Sequence, residues 1–233
     1  MTTSYSGSYE GTLSVISDSI CPWCFVGKRR LEMALPILAS EGLTFTVEWL
    51  PYQLNPDMPD DGLDRRDYRA AKFGSLAKSE ALDAQMVRTG AQVGLAFRYD
   101  LIQRAPNTLA SHVMLADARR AGGAATQNRA VEALFSAYFL EGRDIGKADV
   151  LRKIAFEAGF DHGPSVDAAL WELVQQQDLS ARAAGISGVP CFLLDGHVLF
   201  SGAQPVEVMV AGLRRAVAAQ AQSHGDRPSG DLL

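Results

Sequence analysis

The feature that most constrains this chain is Cys21-Pro22-Trp23-Cys24, set between a run that reads as a strand and a run that reads as a helix. Thr12 to Asp18 is short, β-branched and apolar, whereas Val26 to Leu38 carries Leu31, Leu35 and Leu38 at helical spacing. Pro22 suits the first helical turn, where its missing N–H would go unpaired in any case. Cys21 then falls at the helix N-terminus, where free N–H groups and the helix dipole favour an anion. Cys24 falls one turn in and is expected to be more buried. Such a pair works by division of labour: an exposed Cys21 thiolate attacks a disulfide, and Cys24 resolves the mixed disulfide to leave a Cys21–Cys24 bond.

Zinc is the competing use of a Cys-X-X-Cys, but zinc normally takes four ligands. The remaining candidates are Cys191 and the histidines at 112, 162, 197 and 224, and none repeats a ligand spacing. The reading is therefore redox chemistry with no metal site. No Gly-rich phosphate loop is present, so no nucleotide is called for. Net charge is −5 with no long basic run, which argues against nucleic acid. No apolar run approaches the ~18 residues of a membrane span. The polar stretch from Met1 to Gly11 lacks the basic start and apolar core of a signal peptide, which sets the expectation of a cytoplasmic protein. In that compartment a disulfide is catalytic more often than structural.

Along the chain, Leu43 to Tyr52 is rich in β-formers and reads as a second strand, closing a βαβ unit with a parallel pair. Glu48 on this strand reads as a water-facing charge, with a proton shuttle for Cys24 as the alternative. From Leu63 to about Ala184 no strand pattern is visible. Helical patterns cover Arg65–Phe73 and Leu76–Val93, a run after Pro106 capped by Asn107, and later runs marked by Val131, Val150 and Val166. The aromatic stripe Phe135, Tyr138 and Phe139 reads as core. His112 lies on an apolar helix face and reads as a core histidine, with contact to substrate as the alternative. After Gly185 come two strands around an Asp195-Gly196 turn, then a helix from Pro205. These boundaries give an α/β chain: a thioredoxin-fold domain from 11–62 and 185–219, an all-helical domain inserted over 63–184, and flexible ends at 1–10 and 220–233.

The resemblance follows from the assembled motifs. Asp18 with Cys21-Pro22-Trp23-Cys24, Leu54-Asn55-Pro56, Asn107-Thr108 with His112, Gly188-Val189-Pro190 and Ser201-Gly202-Ala203-Gln204 resemble the DsbA family of thioredoxin-fold oxidoreductases, most of all its FrnE-like branch. They span about residues 11 to 218. The resemblance implies a four-stranded mixed sheet, a cis Val189–Pro190 bond against the Cys-X-X-Cys, catalytic Cys21 and Cys24, and a substrate groove at Trp23, Val189, Pro190 and His112. It implies no cofactor, a protein or small-molecule thiol or disulfide as substrate, and glutathione as a candidate redox partner.

Related 2-hydroxychromene-2-carboxylate isomerases and kappa-class glutathione transferases carry a serine in place of Cys21. The second reading is accordingly a glutathione-dependent isomerase or transferase acting on an aromatic small molecule held by Trp23, Tyr52 and His112. A third is a non-catalytic binding module or chaperone. Cys191, directly after Pro190, reads as a buried packing residue, with an alternative disulfide to Cys21 as the other use. The helical insert offers a face for a homodimer, though nothing in the sequence demands one.

Overall fold

Period-two alternation in β1 (Tyr9–Ser17) sends Leu13 and Val15 to one side and Ile16 to the other. This split organises the molecule. The computed structural model describes residues 8–161 and 168–225. β1 pairs in parallel with β2 (Leu43–Pro51) across the helix α1 (Pro22–Ala39). β5 (Cys191–Leu194) runs antiparallel to β1, and β6 (His197–Ser201) antiparallel to β5. The sheet order is β2-β1-β5-β6, the expected four-stranded mixed sheet. Asp195 and Gly196 both take positive φ, the backbone that a two-residue hairpin turn needs. The closing helix α7 (Val206–Gly225) packs beside α1.

Between β2 and β5 lie the helices α2 (Arg65–Phe73), α3 (Leu76–Ala91), α4 (Leu109–Phe139), α5 (Ala148–Glu157) and α6 (Ala168–Ala183). Several expectations need correction here. The segment is not purely helical: β3 (Leu63–Asp64) and β4 (Arg104–Ala105) form a small antiparallel ribbon, too short for any periodicity to announce. The helices expected around Leu109 and Val131 are both present, as the two halves of α4 on either side of Gly122–Gly123, where both residues leave helical φ/ψ and Gly123 takes φ 69°, a conformation that favours glycine. Asn107 caps from one position earlier than expected, its Oδ1 accepting from Leu109 N–H at 2.9 Å. Of the ends expected to be flexible, Tyr9 and Glu10 belong to β1 and the stretch from Gln220 to Gly225 to α7. The Tyr9 hydroxyl ties the two together by donating to Gln220 Oε1 at 2.9 Å. Val166 lies outside the described residues.

The main apolar cluster joins Leu13, Val15 and Phe192 of the sheet to Phe25 of α1 and to the insert. Phe25 stacks on Phe135 with centroids 5.1 Å apart and also meets Phe97 and Phe139. The aromatic stripe is thus core. A separate cluster on the other sheet face gathers Ile16, Tyr52, Ala181, Ile186 and Cys191. No helix among the described residues is long and apolar enough to cross a membrane.

Candidate active site

β1 ends at Ser17, and the turn at 18–20 delivers Cys21 to the N-cap of α1 in an extended conformation (φ −92°, ψ 110°) with Pro22 following. The Cys21 N–H donates to the Asp18 carbonyl at 3.0 Å, and Cys24 N–H to the Cys21 carbonyl at 3.0 Å, so the first turn is already formed at the thiol. Cys21 was expected to be exposed. It is instead 5% accessible, set in the wall of a cavity of about 330 Å³, because the insert closes over it. Trp23 at the rim is exposed. The Val189–Pro190 peptide is cis, and the Cys21 Sγ–H donates to the Val189 carbonyl at 3.6 Å.

Cys24 is wholly buried behind Cys21. Burial pushes its thiol well above the usual value, and the neighbouring Cys21 adds to this. A backbone hydrogen bond from Asp18 pulls the other way, while the Asp18 carboxylate pushes upward again by its charge. Asp18 is itself fully buried: Oδ2 accepts from Leu54 N–H at 2.7 Å, and Oδ1 lies 3.5 Å from His112 Nε2. The carboxylate behind Cys24 is therefore Asp18 and not Glu48. Glu48 is partly exposed, accepts from Ser14 Oγ at 3.0 Å, and faces Arg119.

The cavity wall opposite Cys21 comes from the insert. Arg65 and Arg69 each bond Asp83 at 2.7 Å, and Lys72 donates to Asn55 Oδ1 and to the Tyr68 hydroxyl at 2.7 Å. Three cations and one carboxylate thus line this wall, with two of the cations paired to the carboxylate. Asn55 Nδ2 and the Tyr99 hydroxyl are buried with no hydrogen-bond partner, and burial holds the phenols of Tyr99 and Tyr138 above the usual range. The arrangement offers one reachable sulfur, a second sulfur one turn behind it, and a cationic, aromatic chamber for whatever is joined to the first.

These positions carry a signature. A model of the DSBA-like thioredoxin domain matches residues 12–214. This chain belongs to that family. Within the family's fold, the probable DsbA oxidoreductase SCO1869 from Streptomyces coelicolor is 28% identical with a TM-score of 0.76, covering 96% of this chain and 94% of its own. The curated relative YwbO of Bacillus subtilis, an uncharacterized protein, is 29% identical over 202 residues, which are 84% of this chain and 92% of that one. The cytosolic disulfide reductase DsbM from Pseudomonas aeruginosa shares the fold at 18% identity and a TM-score of 0.58, covering 91% of this chain and 99% of its own. It has also been solved with GSH.

Set against the DSBA-like frame, the expected site residues divide. Cys21, Cys24, Trp23, Val189 and Pro190 gather at one place, with Trp23 on the cavity wall and Val189 on the Cys21 sulfur. His112 does not reach that cavity. It is 3% accessible, beside Asp18, and lines a different cavity with Trp49 and Leu115. Tyr52 is also elsewhere, its hydroxyl donating to the Ile186 carbonyl at 3.2 Å. Cys191 shares the sheet face of Ile16 and Tyr52, whereas Cys21 and Cys24 belong to the cluster on the other face; its thiol packs and accepts from Ser201 Oγ at 3.5 Å.

Sequence reasoning named Asp18 only within the motif that carries the resemblance, and it passed over the cavity positions of Arg65, Arg69 and Tyr99, which no local spacing marks. Among the described residues, no three His, Cys, Asp or Glu side chains gather to hold a metal ion.

Proposed function

We propose that this protein is a thiol–disulfide oxidoreductase in which Cys21 attacks and Cys24 resolves. The observation that supports this best is the placement of the two sulfurs: Cys21 opens into the cavity against the Val189 carbonyl, and Cys24 waits behind it, held protonated by burial. In the first step Cys21 sulfur displaces one half of a substrate disulfide and keeps the other half as a mixed disulfide. In the second, Cys24 gives up its proton and attacks Cys21 sulfur, releasing the retained half as a thiolate. The two cysteines are oxidised to one disulfide and the substrate is reduced by two electrons. The reverse sequence oxidises a dithiol. Two cysteines, with no serine at position 21, favour redox exchange over isomerisation or conjugation.

The test is reduction of insulin by the wild type and by Cys21→Ser. The variant is expected to lose the activity, and retention would overturn the assignment. The cavity supports a narrower reading in which the small redox partner is anionic. Glutathione, named with DsbM, fits the cations Arg65, Arg69 and Lys72 and the unpaired Asn55 and Tyr99 groups.

A further inference from the structure

The resolving step needs somewhere for the Cys24 proton to go, and the first cavity does not provide it. Cys24 is fully buried, and so is Asp18 behind it. Beyond Asp18 lies His112, carried on α4, with Nε2 3.5 Å from Asp18 Oδ1 and no hydrogen-bond partner for that nitrogen. A buried imidazole nitrogen without a hydrogen bond carries a desolvation cost, and at 3.5 Å it stands next to the one buried carboxylate that could exchange a proton with it. His112 also lines the second cavity, of about 300 Å³, whose rim carries the partly exposed Glu48 and Arg119 and the exposed Arg120. The face that α6 turns to this cavity carries Leu170, Leu173 and Gln177, none of them charged. Such a volume has room for several waters of ~30 Å³ each.

We propose that His112 is a positioning residue through which the Cys24 proton passes from Asp18 to water in the second cavity, on the side of the molecule away from substrate. The inference rests on the oxidoreductase reading above. As Cys24 sulfur bonds to Cys21 sulfur and the substrate leaves as a thiolate, Asp18 takes the Cys24 proton and His112 hands it on to water. In the oxidising direction the same path runs inward. Substrate exchange and proton exchange then use separate openings, so a bulky protein substrate over Cys21 does not seal the proton in.

The test follows two successive releases of nitrothiobenzoate from dithiobis-nitrobenzoate by the reduced protein. The first reports attack by Cys21 and the second reports attack by Cys24. In His112→Ala the first phase is expected to keep its rate and the second to slow by about tenfold or more, the low side of what assisted proton transfer contributes. Added imidazole should restore the second phase, and the equally sized but far less basic pyrazole should not. His112→Gln keeps the volume without a basic nitrogen and should show the same slow phase, which covers the case in which the alanine variant fails to fold. Equal rescue by pyrazole, or a full-speed second phase in either variant, would overturn the relay. Absence of any release by the wild type would remove the oxidoreductase reading along with it.

Discussion

Gln127 holds Trp49 by both backbone groups: Oε1 accepts from the Trp49 N–H at 3.0 Å, and Nε2 donates to its carbonyl at 2.9 Å. β2 is an edge strand, so these groups have no neighbouring strand to pair with on that side. The amide on α4 stands in for one and locks the insert to the sheet. Gln127→Leu keeps the bulk and orphans both groups. A loss of about 2–4 kcal/mol is expected, read from urea unfolding, since each buried unsatisfied group costs about 1–3 kcal/mol. A loss below about 0.5 kcal/mol would mean the lock is not needed.

The buried thiol of Cys24 makes the reduced protein sensitive to alkali. Its folded-state affinity for the proton is raised by burial first, and by Cys21 second. The stability this provides is complete below the unfolded thiol value of about 8.5 and is lost as pH rises beyond it, by at most ~1.4 kcal/mol per pH unit. Reduced wild type should therefore lose stability between about pH 9 and 10 more steeply than Cys24→Ala. The raised phenols of Tyr99 and Tyr138 act with the same sign and cancel in the comparison. Parallel curves for the two proteins would contradict the assignment.

Gly27 lies on the α1 face that meets the Pro190 loop. A Cβ there would stand 3.1 Å from Pro190 Cγ and 3.4 Å from Phe192 Cζ. Gly27→Val overfills this contact and should cost about 1–3 kcal/mol. Because the displaced loop carries the Val189 carbonyl onto Cys21, insulin reduction by the protein that remains folded should fall as well. Thermal melts and turnover normalised to folded protein separate the two effects.

Lys72 is the cavity cation not committed to Asp83; its bonds are to the neutral Asn55 and Tyr68. Lys72→Gln is expected to raise KM for oxidised glutathione about three- to fivefold, the scale of an exposed ion pair. Turnover of the uncharged disulfide of mercaptoethanol should stay unchanged. An equal loss with both substrates would place Lys72 in the scaffold and not in recognition.

The chain's local periodicities carried most of the architecture. β-branched runs at Thr12–Asp18 and Leu43–Tyr52, an intervening leucine spacing and an Asp195-Gly196 turn are short-range signals, and the sheet follows from them. The β3–β4 ribbon left no such signal, because two residues a strand are too few to alternate. The break between two helical runs at Gly122–Gly123 was legible, because the glycine pair interrupts the helical spacing and both residues leave helical φ/ψ.

By itself the sequence determined that two cysteines open a helix at the end of a strand, because that depends only on neighbours along the chain. Tertiary structure decided which groups meet those sulfurs. Glu48 and Asp18 are both carboxylates near the strand ends, and only the turn at 18–20 buries one of them behind Cys24. Cys191 is one bond from Pro190 in sequence, yet the register that sets it opposite Ile16 turns its thiol to the far face of the sheet. His112 joins Asp18, 94 positions earlier in the chain, only because α4 docks on the 18–20 turn, where Ser111 and Ser19 meet at 2.7 Å. Side-chain facing alternates with every residue of a strand, so a contact between distant segments is fixed by packing and cannot be read from spacing.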